Sequence, residues 1–186
     1  MTAATIKPRS RMRAQLVLAV LSACGLAALA WASFMTPAAH VVYNPSNSVP
    51  VGWYRIEPVN SPADALHVGS IVLARLPAEM AALAAQRGYL PPHIPLLKRI
   101  GAVAPQHVCI AGGVVRIDGV PVAAVLRTDR MGRPLPSWPK CRALAEGELF
   151  LLSATNPASF DSRYFGPIAA STVIGTAQPV YLEKQP

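Results

Sequence analysis

From Ala14 to Met35 the chain carries no charged side chain, and its residues are mostly Leu, Ala and Val. About 20 such residues at 1.5 Å of rise each reach across a ~30 Å hydrocarbon core. In lipid a lone segment can satisfy its own backbone only as a helix. The run therefore predicts a transmembrane anchor over 14–35. A cleaved signal peptide competes, because Ala28, Ala30 and Ala32 offer small-residue sites, but the run exceeds the usual apolar core of about 7–15 residues. Lys7, Arg9, Arg11 and Arg13 precede it, and no Asp or Glu occurs before Glu57. The positive-inside bias then makes 1–13 a cytoplasmic basic tail and places 36–186 on the other side of the membrane.

That topology removes half of the net charge of +8 from the domain: of 17 Lys and Arg, the four before the span leave 13 to face nine Asp and Glu. Without a dense basic run or interleaved aromatics, a nucleic-acid partner is not expected. Roughly 150 residues remain, enough for one domain with a real core. Cys109 and Cys141 are the two exported thiols. An even pair in an oxidising compartment suggests one disulfide, the alternative being two buried free thiols. His67, His93 and His107 are scattered, so no metal site is expected.

The 19 prolines fall between short apolar stretches. These stretches lie near 41–43, 53–56, 70–75, 96–103, 108–117, 120–126, 148–153 and 172–181. Several alternate or are β-branched, and Asp118-Gly119 between two of them signals a hairpin. The domain reads as mainly β. One short helix is predicted from Pro77 to about Arg87, ahead of Gly88. Residues 127–142 break the strand pattern and read as a loop insertion or small cap.

Ser48 lies in Ser48-Val49-Pro50-Val51-Gly52, which is an ordinary turn taken alone. The same Pro and Gly can also present the Ser48 hydroxyl at a strand edge with its N–H free, and Ser46 can add a second oxyanion donor. Lys98 sits in a strand-like stretch where alternation sends one of Lys98 and Arg99 toward the apolar side. Exposed, it is a solvated charge; buried, its pKa falls and it can act as a general base. Downstream, Ser159 can hold the lysine nitrogen, and Asp161 with Arg163 can brace the loop as an ion pair.

Together these blocks resemble type I signal peptidases, Ser/Lys peptidases that cleave pre-proteins at the membrane surface. Ser46-Asn47-Ser48 is similar to that family's Ser-x-Ser box and Leu97-Lys98-Arg99-Ile100 to its lysine box. Ser159-Phe160-Asp161-Ser162-Arg163-Tyr164-Phe165-Gly166 is similar to its Ser-x-Asp-Ser-Arg-aromatic-aromatic-Gly box. The resemblance implies a signal-peptidase-like β domain, Ser48 as nucleophile, Lys98 as general base, and Ser46 with the Ser48 N–H as oxyanion donors. It also implies that Ser159 orients the lysine and that no cofactor is needed; Ser-Lys pairs are a known variant of the serine triad.

Leader peptidases follow the nucleophile with Met, whereas here Val49-Pro50-Val51-Gly52-Trp53-Tyr54 follows. With the single anchor, the short domain and the Cys pair, this resembles TraF-type peptidases of conjugative transfer. That implies a bacterial inner-membrane enzyme with a periplasmic catalytic domain, acting on a pro-pilin or another pre-protein, in some relatives with cyclisation. A general leader peptidase and a non-catalytic β scaffold of a secretion or pilus complex remain alternatives. Asn156, three residues before Ser159, has no assigned role.

Overall fold

The computed structural model describes residues 8–34, 40–59 and 66–184. The chain separates into two compact units divided between Ala38 and Ala39. The first is helix α1, Pro8–Phe34. Between Arg11 and Trp31 its mean hydropathy is 2.0, which makes it long and apolar enough to cross a membrane. Its side chains from Arg11 to Trp31 are all exposed, so the helix is apolar all round rather than along one stripe. It begins before the predicted span because Pro8 suits a first helical turn, where no intrahelical N–H bond is needed. Lys7, Met35 and the start of the predicted exported part, 36–39, lie outside the described residues.

The second unit is mainly β. Its strands in chain order are β1 (His40–Asn44), β2 (Gly52–Pro58), β3 (Ile71–Ala74), β4 (Leu96–Val103), β5 (His107–Ala111), β6 (Val114–Ile117), β7 (Val120–Ala124), β8 (Cys141–Ala143), β9 (Glu148–Leu151), β10 (Ile168–Ala169) and β11 (Val173–Leu182). They form a seven-stranded sheet in the order β1-β2-β11-β3-β4-β9-β10 and a four-stranded sheet in the order β7-β6-β5-β8. Helix α2 (Ala78–Gln86) sits between β3 and β4 in the chain, and the single-turn helix α3 (Ser162–Phe165) follows β9.

Alternation decides which side chains enter the cores. On β2, Tyr54 and Ile56 are buried while Trp53 and Arg55 are exposed. Strand β9 does not alternate, because both of its faces are covered. Leu149 and Leu151 join one core with Val72, Leu96 and Ile100, whereas Phe150 and the following Leu152 join a second core with Val108, Val115 and Leu144. Burial on both faces is why its sequence reads as an unbroken apolar run.

The Asp118-Gly119 hairpin is present, with Ile117 facing Val120 and positive φ at both turn residues. Helix α2 spans the predicted segment, and Gly88 beyond it has φ 72°. Gly52 has φ 148°, and a Cβ there would strike the Tyr181 carbonyl, so the close approach of β11 requires glycine at the start of β2.

The 127–142 segment is only partly a loop. Its final residues enter β8, which pairs with β5 and sets Cys141 opposite Cys109. The earlier residues fold around Asp129, whose carboxylate accepts from the N–H groups of Met131 and Arg133 and pairs with the Arg133 side chain. The three-residue β8, the two-residue β10 and α3 are too short to carry a periodic signal.

Cys109 and Cys141 form a disulfide across the β5–β8 pair, 32 residues apart in sequence. Constraining an unfolded loop of that length contributes about 3–4 kcal/mol. The double variant C109A/C141A is expected to lose an amount of this order in urea unfolding, with a higher m-value because the released unfolded chain exposes more surface. A midpoint equal to that of the parent would show that the bridge is energetically idle.

Candidate active site

The Ser48 turn is built by Asn44 at the end of β1. Its Nδ2 donates to the carbonyls of Ser46 (2.8 Å), Val49 (3.2 Å) and Pro50 (3.1 Å). Its Oδ1 accepts from the Ser46 N–H (3.2 Å) and the Ser46 hydroxyl (2.9 Å). One buried carboxamide thereby shapes the loop between the paired strands β1 and β2, an Asx-type turn that the Asn-Pro-Ser sequence signals but to which sequence reasoning assigned no role. The Tyr54 hydroxyl fixes the far side by donating to the Pro50 carbonyl at 2.6 Å. Val49 packs in one cluster with Leu73 and Leu97, which seats the turn against β3 and β4.

Ser48 Oγ lies 2.9 Å from Ser46 Oγ. Ser46 has a single hydroxyl hydrogen, and it is committed to Asn44 Oδ1. The Ser48 hydroxyl must therefore be the donor of this pair, with Ser46 Oγ accepting. Among the described residues the Ser48 backbone N–H makes no hydrogen bond, which leaves it able to meet an incoming oxygen.

Lys98 is the cation that alternation turns inward. It shares the buried face of β4 with Leu96 and Ile100 and is 3% exposed, while Arg99 faces outward. Burial pushes its pKa down from 10.5 to about 8; Asp161 opposes that shift and Arg163 assists it. Its Nζ donates to Ser159 Oγ at 2.6 Å.

Ser159 is held by a buried ion pair. Arg163 binds Asp161 through Nε to Oδ1 and Nη2 to Oδ2, each at 2.8 Å, and neither side chain is exposed at all. The remaining guanidinium donors reach the carbonyls of Ala124, Ser153, Asn156, Pro157 and Ser159. Asp161 also accepts from the Ser153 N–H. Asn156 has a structural place: its Oδ1 accepts from the Ala158 N–H and its carbonyl accepts from the Ser159 N–H.

The predicted residues thus come together as two pairs, Ser46 with Ser48 and Lys98 with Ser159. No hydrogen bond joins Ser48 to Lys98, because each polar end has a partner of its own. A cleft of about 640 Å³ opens beside Ser48, with Arg99, Arg130 and Ser153 in its wall. Ser153 is 2% exposed and its hydroxyl has no partner, a feature that carries no sequence signal. Among the described residues no His/Cys/Asp/Glu cluster could hold a metal ion.

The profile of the signal peptidase family, peptidase S26, matches residues 13–182. The chain belongs to this family. Membership points to a serine peptidase.

Relatives of this signal peptidase family chain include the plasmid transfer protein TraF of Escherichia coli, 32% identical over 91% of this chain and 95% of that protein. The probable conjugal transfer protein TraF of Sinorhizobium fredii is 36% identical over 74% of each chain. The conjugal transfer protein TraF of Agrobacterium fabrum is 37% identical over 74% of this chain and 80% of its own. A crystallised signal peptidase I from Enterococcus faecalis overlaps 60% of this chain and 95% of its own at 18% identity, with a TM-score of 0.35, too distant to inform the site.

Removing the Arg163 guanidinium leaves the buried Asp161 carboxylate without its counter-charge and takes one donor from each of five carbonyls. Arg163→Leu is expected to cost about 3–5 kcal/mol in denaturant unfolding, and a loss below 1 kcal/mol would contradict the bracing role. Lys98 makes stability depend on pH. Below about 8 the folded and unfolded chains both hold the proton, so its contribution is flat. Between about 8 and 10.5 only the unfolded chain still binds it, so stability rises with pH. Relative to Lys98→Met, the parent should gain on the order of 3 kcal/mol from pH 7 to 10.5; parallel curves would disprove this titration.

Proposed function

We propose that this chain is a membrane-anchored serine endopeptidase of conjugative transfer, with Ser48 as nucleophile and Lys98 as general base. The observation that carries the reading is Lys98 itself: a buried lysine with its pKa brought to about 8, held by Ser159. It stands on the strand whose next residues, Arg99 and Ile100, wall the cleft at Ser48. A surface lysine stays charged at neutral pH, whereas a pKa of about 8 leaves this one neutral in roughly a tenth of molecules at pH 7 and in about half at pH 8.

Neutral Lys98 keeps an N–H for Ser159 Oγ and leaves its lone pair free. Rotation about χ1 turns the Ser48 hydroxyl from Ser46 toward that lone pair. As the proton moves to Nζ, Oγ attacks the scissile carbonyl, and the oxyanion takes hydrogen bonds from the Ser48 N–H and from the Ser46 hydroxyl, which rotates off Asn44 Oδ1 to donate to it. The Lys98 ammonium then protonates the leaving amine. The acyl ester on Ser48 is released by water, or by a substrate amine in a cyclising branch. No metal or organic cofactor enters these steps.

The TraF relatives favour a pre-protein of conjugation, and a pro-pilin is the substrate proposed here. The apolar α1 favours a single-pass anchor in the inner membrane, with the basic end in the cytoplasm and the catalytic domain in the periplasm. A general leader peptidase or a non-catalytic scaffold is the alternative reading.

Ser48→Ala and Lys98→Arg are each expected to abolish cleavage of a co-expressed pro-pilin without unfolding the protein, while Ser46→Ala costs about 10²–10³ in rate. For the parent, kcat/KM should rise about tenfold per pH unit up to about pH 8 and then level. Cleavage by Lys98→Arg, or a flat profile from pH 6 to 9, would remove Lys98 from the mechanism. Restored growth of a leader-peptidase-depleted cell would shift the reading to the general enzyme.

A further inference from the structure

The cleft beside Ser48 is walled largely by apolar side chains, including Val49, Val68, Val122 and Leu152, yet it also carries Arg99 and Arg130. Among the described residues no Asp or Glu lines it. The acids next to wall residues in the chain are already committed. Asp129, which precedes Arg130, is bound by Arg133, by the Tyr89 hydroxyl and by two backbone N–H groups. Asp118, which follows Ile117, accepts from Gln106 and from the His107 N–H.

The two cations keep unused donors. Arg99 gives one Nη1 hydrogen to the Gly69 carbonyl. Arg130 is exposed, with no hydrogen bond or ion pair among the described residues. Guanidinium forks match carboxylate geometry, and a cleft that carries two cations and no acid among its described lining residues favours an anion among whatever enters. A wholly apolar substrate segment would leave both cations unpaired in a narrowed cleft.

We infer that this cleft recognises a carboxylate of the substrate chain, received by Arg99 and Arg130 as specificity residues that do not touch the reacting atoms. That carboxylate is either an Asp or Glu side chain near the scissile bond or the free C-terminus of a short leaving segment. The inference rests on the peptidase reading of the Ser48 cleft.

The test uses the full chain in detergent carrying Ser48→Ala, so that binding is read without turnover. Three dye-labelled peptides share one Ala/Leu/Val sequence. One carries Glu and a C-terminal amide, one Gln and a free C-terminal carboxylate, and one Gln and an amide. Fluorescence anisotropy is expected to show at least one carboxylate peptide binding about fivefold or more tighter than the neutral one, with the gain shrinking in high salt. The peptide that gains identifies the source of the carboxylate.

Arg130→Gln and Arg99→Gln should each reduce the gain, leaving the neutral peptide unaffected. Arg130 is exposed and makes no hydrogen bond or ion pair among the described residues, so its variant remains informative even if Arg99→Gln fails to fold. Equal affinity for the three peptides, including none measurable, or a gain that survives both substitutions, overturns the inference. Binding here needs no chemistry, so that result leaves the peptidase reading standing. Absence of cleavage by the unsubstituted chain defeats the peptidase reading instead.

Discussion

The structure around the lysine depends on one buried guanidinium. Arg163 is fully withdrawn from water, and an ion in that position is tolerated only when its partner and its remaining donors are satisfied. Asp161 supplies the counter-charge through two hydrogen bonds, and carbonyls from Ser153 to Ser159 occupy the other hydrogens together with Ala124 of β7. The loop after β9 is thus wrapped around a charge rather than around an apolar plug. Its shape, and with it the position of Ser159, follows from guanidinium geometry.

That arrangement has an electrostatic effect on Lys98. Asp161 favours the ammonium and Arg163 disfavours it, so a pair that is nearly neutral as a unit leaves burial as the dominant influence. A lone Asp161 would hold the lysine protonated, and a lone Arg163 would push it further down. The Ser48 proton rests on Ser46, which is itself tied to Asn44. In the free protein the Ser48 hydroxyl is thus bound to Ser46 and the Lys98 amine to Ser159.

Much of this was legible in the sequence, and the reasons differ by element. The apolar span is set by composition, and the Asp118-Gly119 hairpin by turn stereochemistry. Strand alternation restricted Lys98 and Arg99 to opposite faces, but only the sheet order, with β4 between β3 and β9, decides that the lysine is the one turned inward. The Ser159–Gly166 block suggested an ion pair. That Arg163 also gathers five carbonyls depends on the three-dimensional path of the loop, which no spacing encodes. Asn44 was not read as the organiser of Ser46, because its partners lie up to six residues ahead. Strand β8 was read as loop since three residues have no period, and its existence depends on β5 offering an edge. Ser153 and the arginines of the cleft wall carry no local pattern.

Strand β9 has a consequence of a different kind. Its odd residues belong to the core that holds the neighbours of Lys98, its even residues to the core of the disulfide-bearing sheet, and its extension begins the loop that wraps Arg163. A domain with one strand common to two hydrophobic cores cannot melt one of them alone. Loosening among Val108, Val115 and Phe150 is therefore transmitted along this strand to the loop that carries Ser159, so a lesion in the disulfide-bearing sheet disturbs the partner of Lys98.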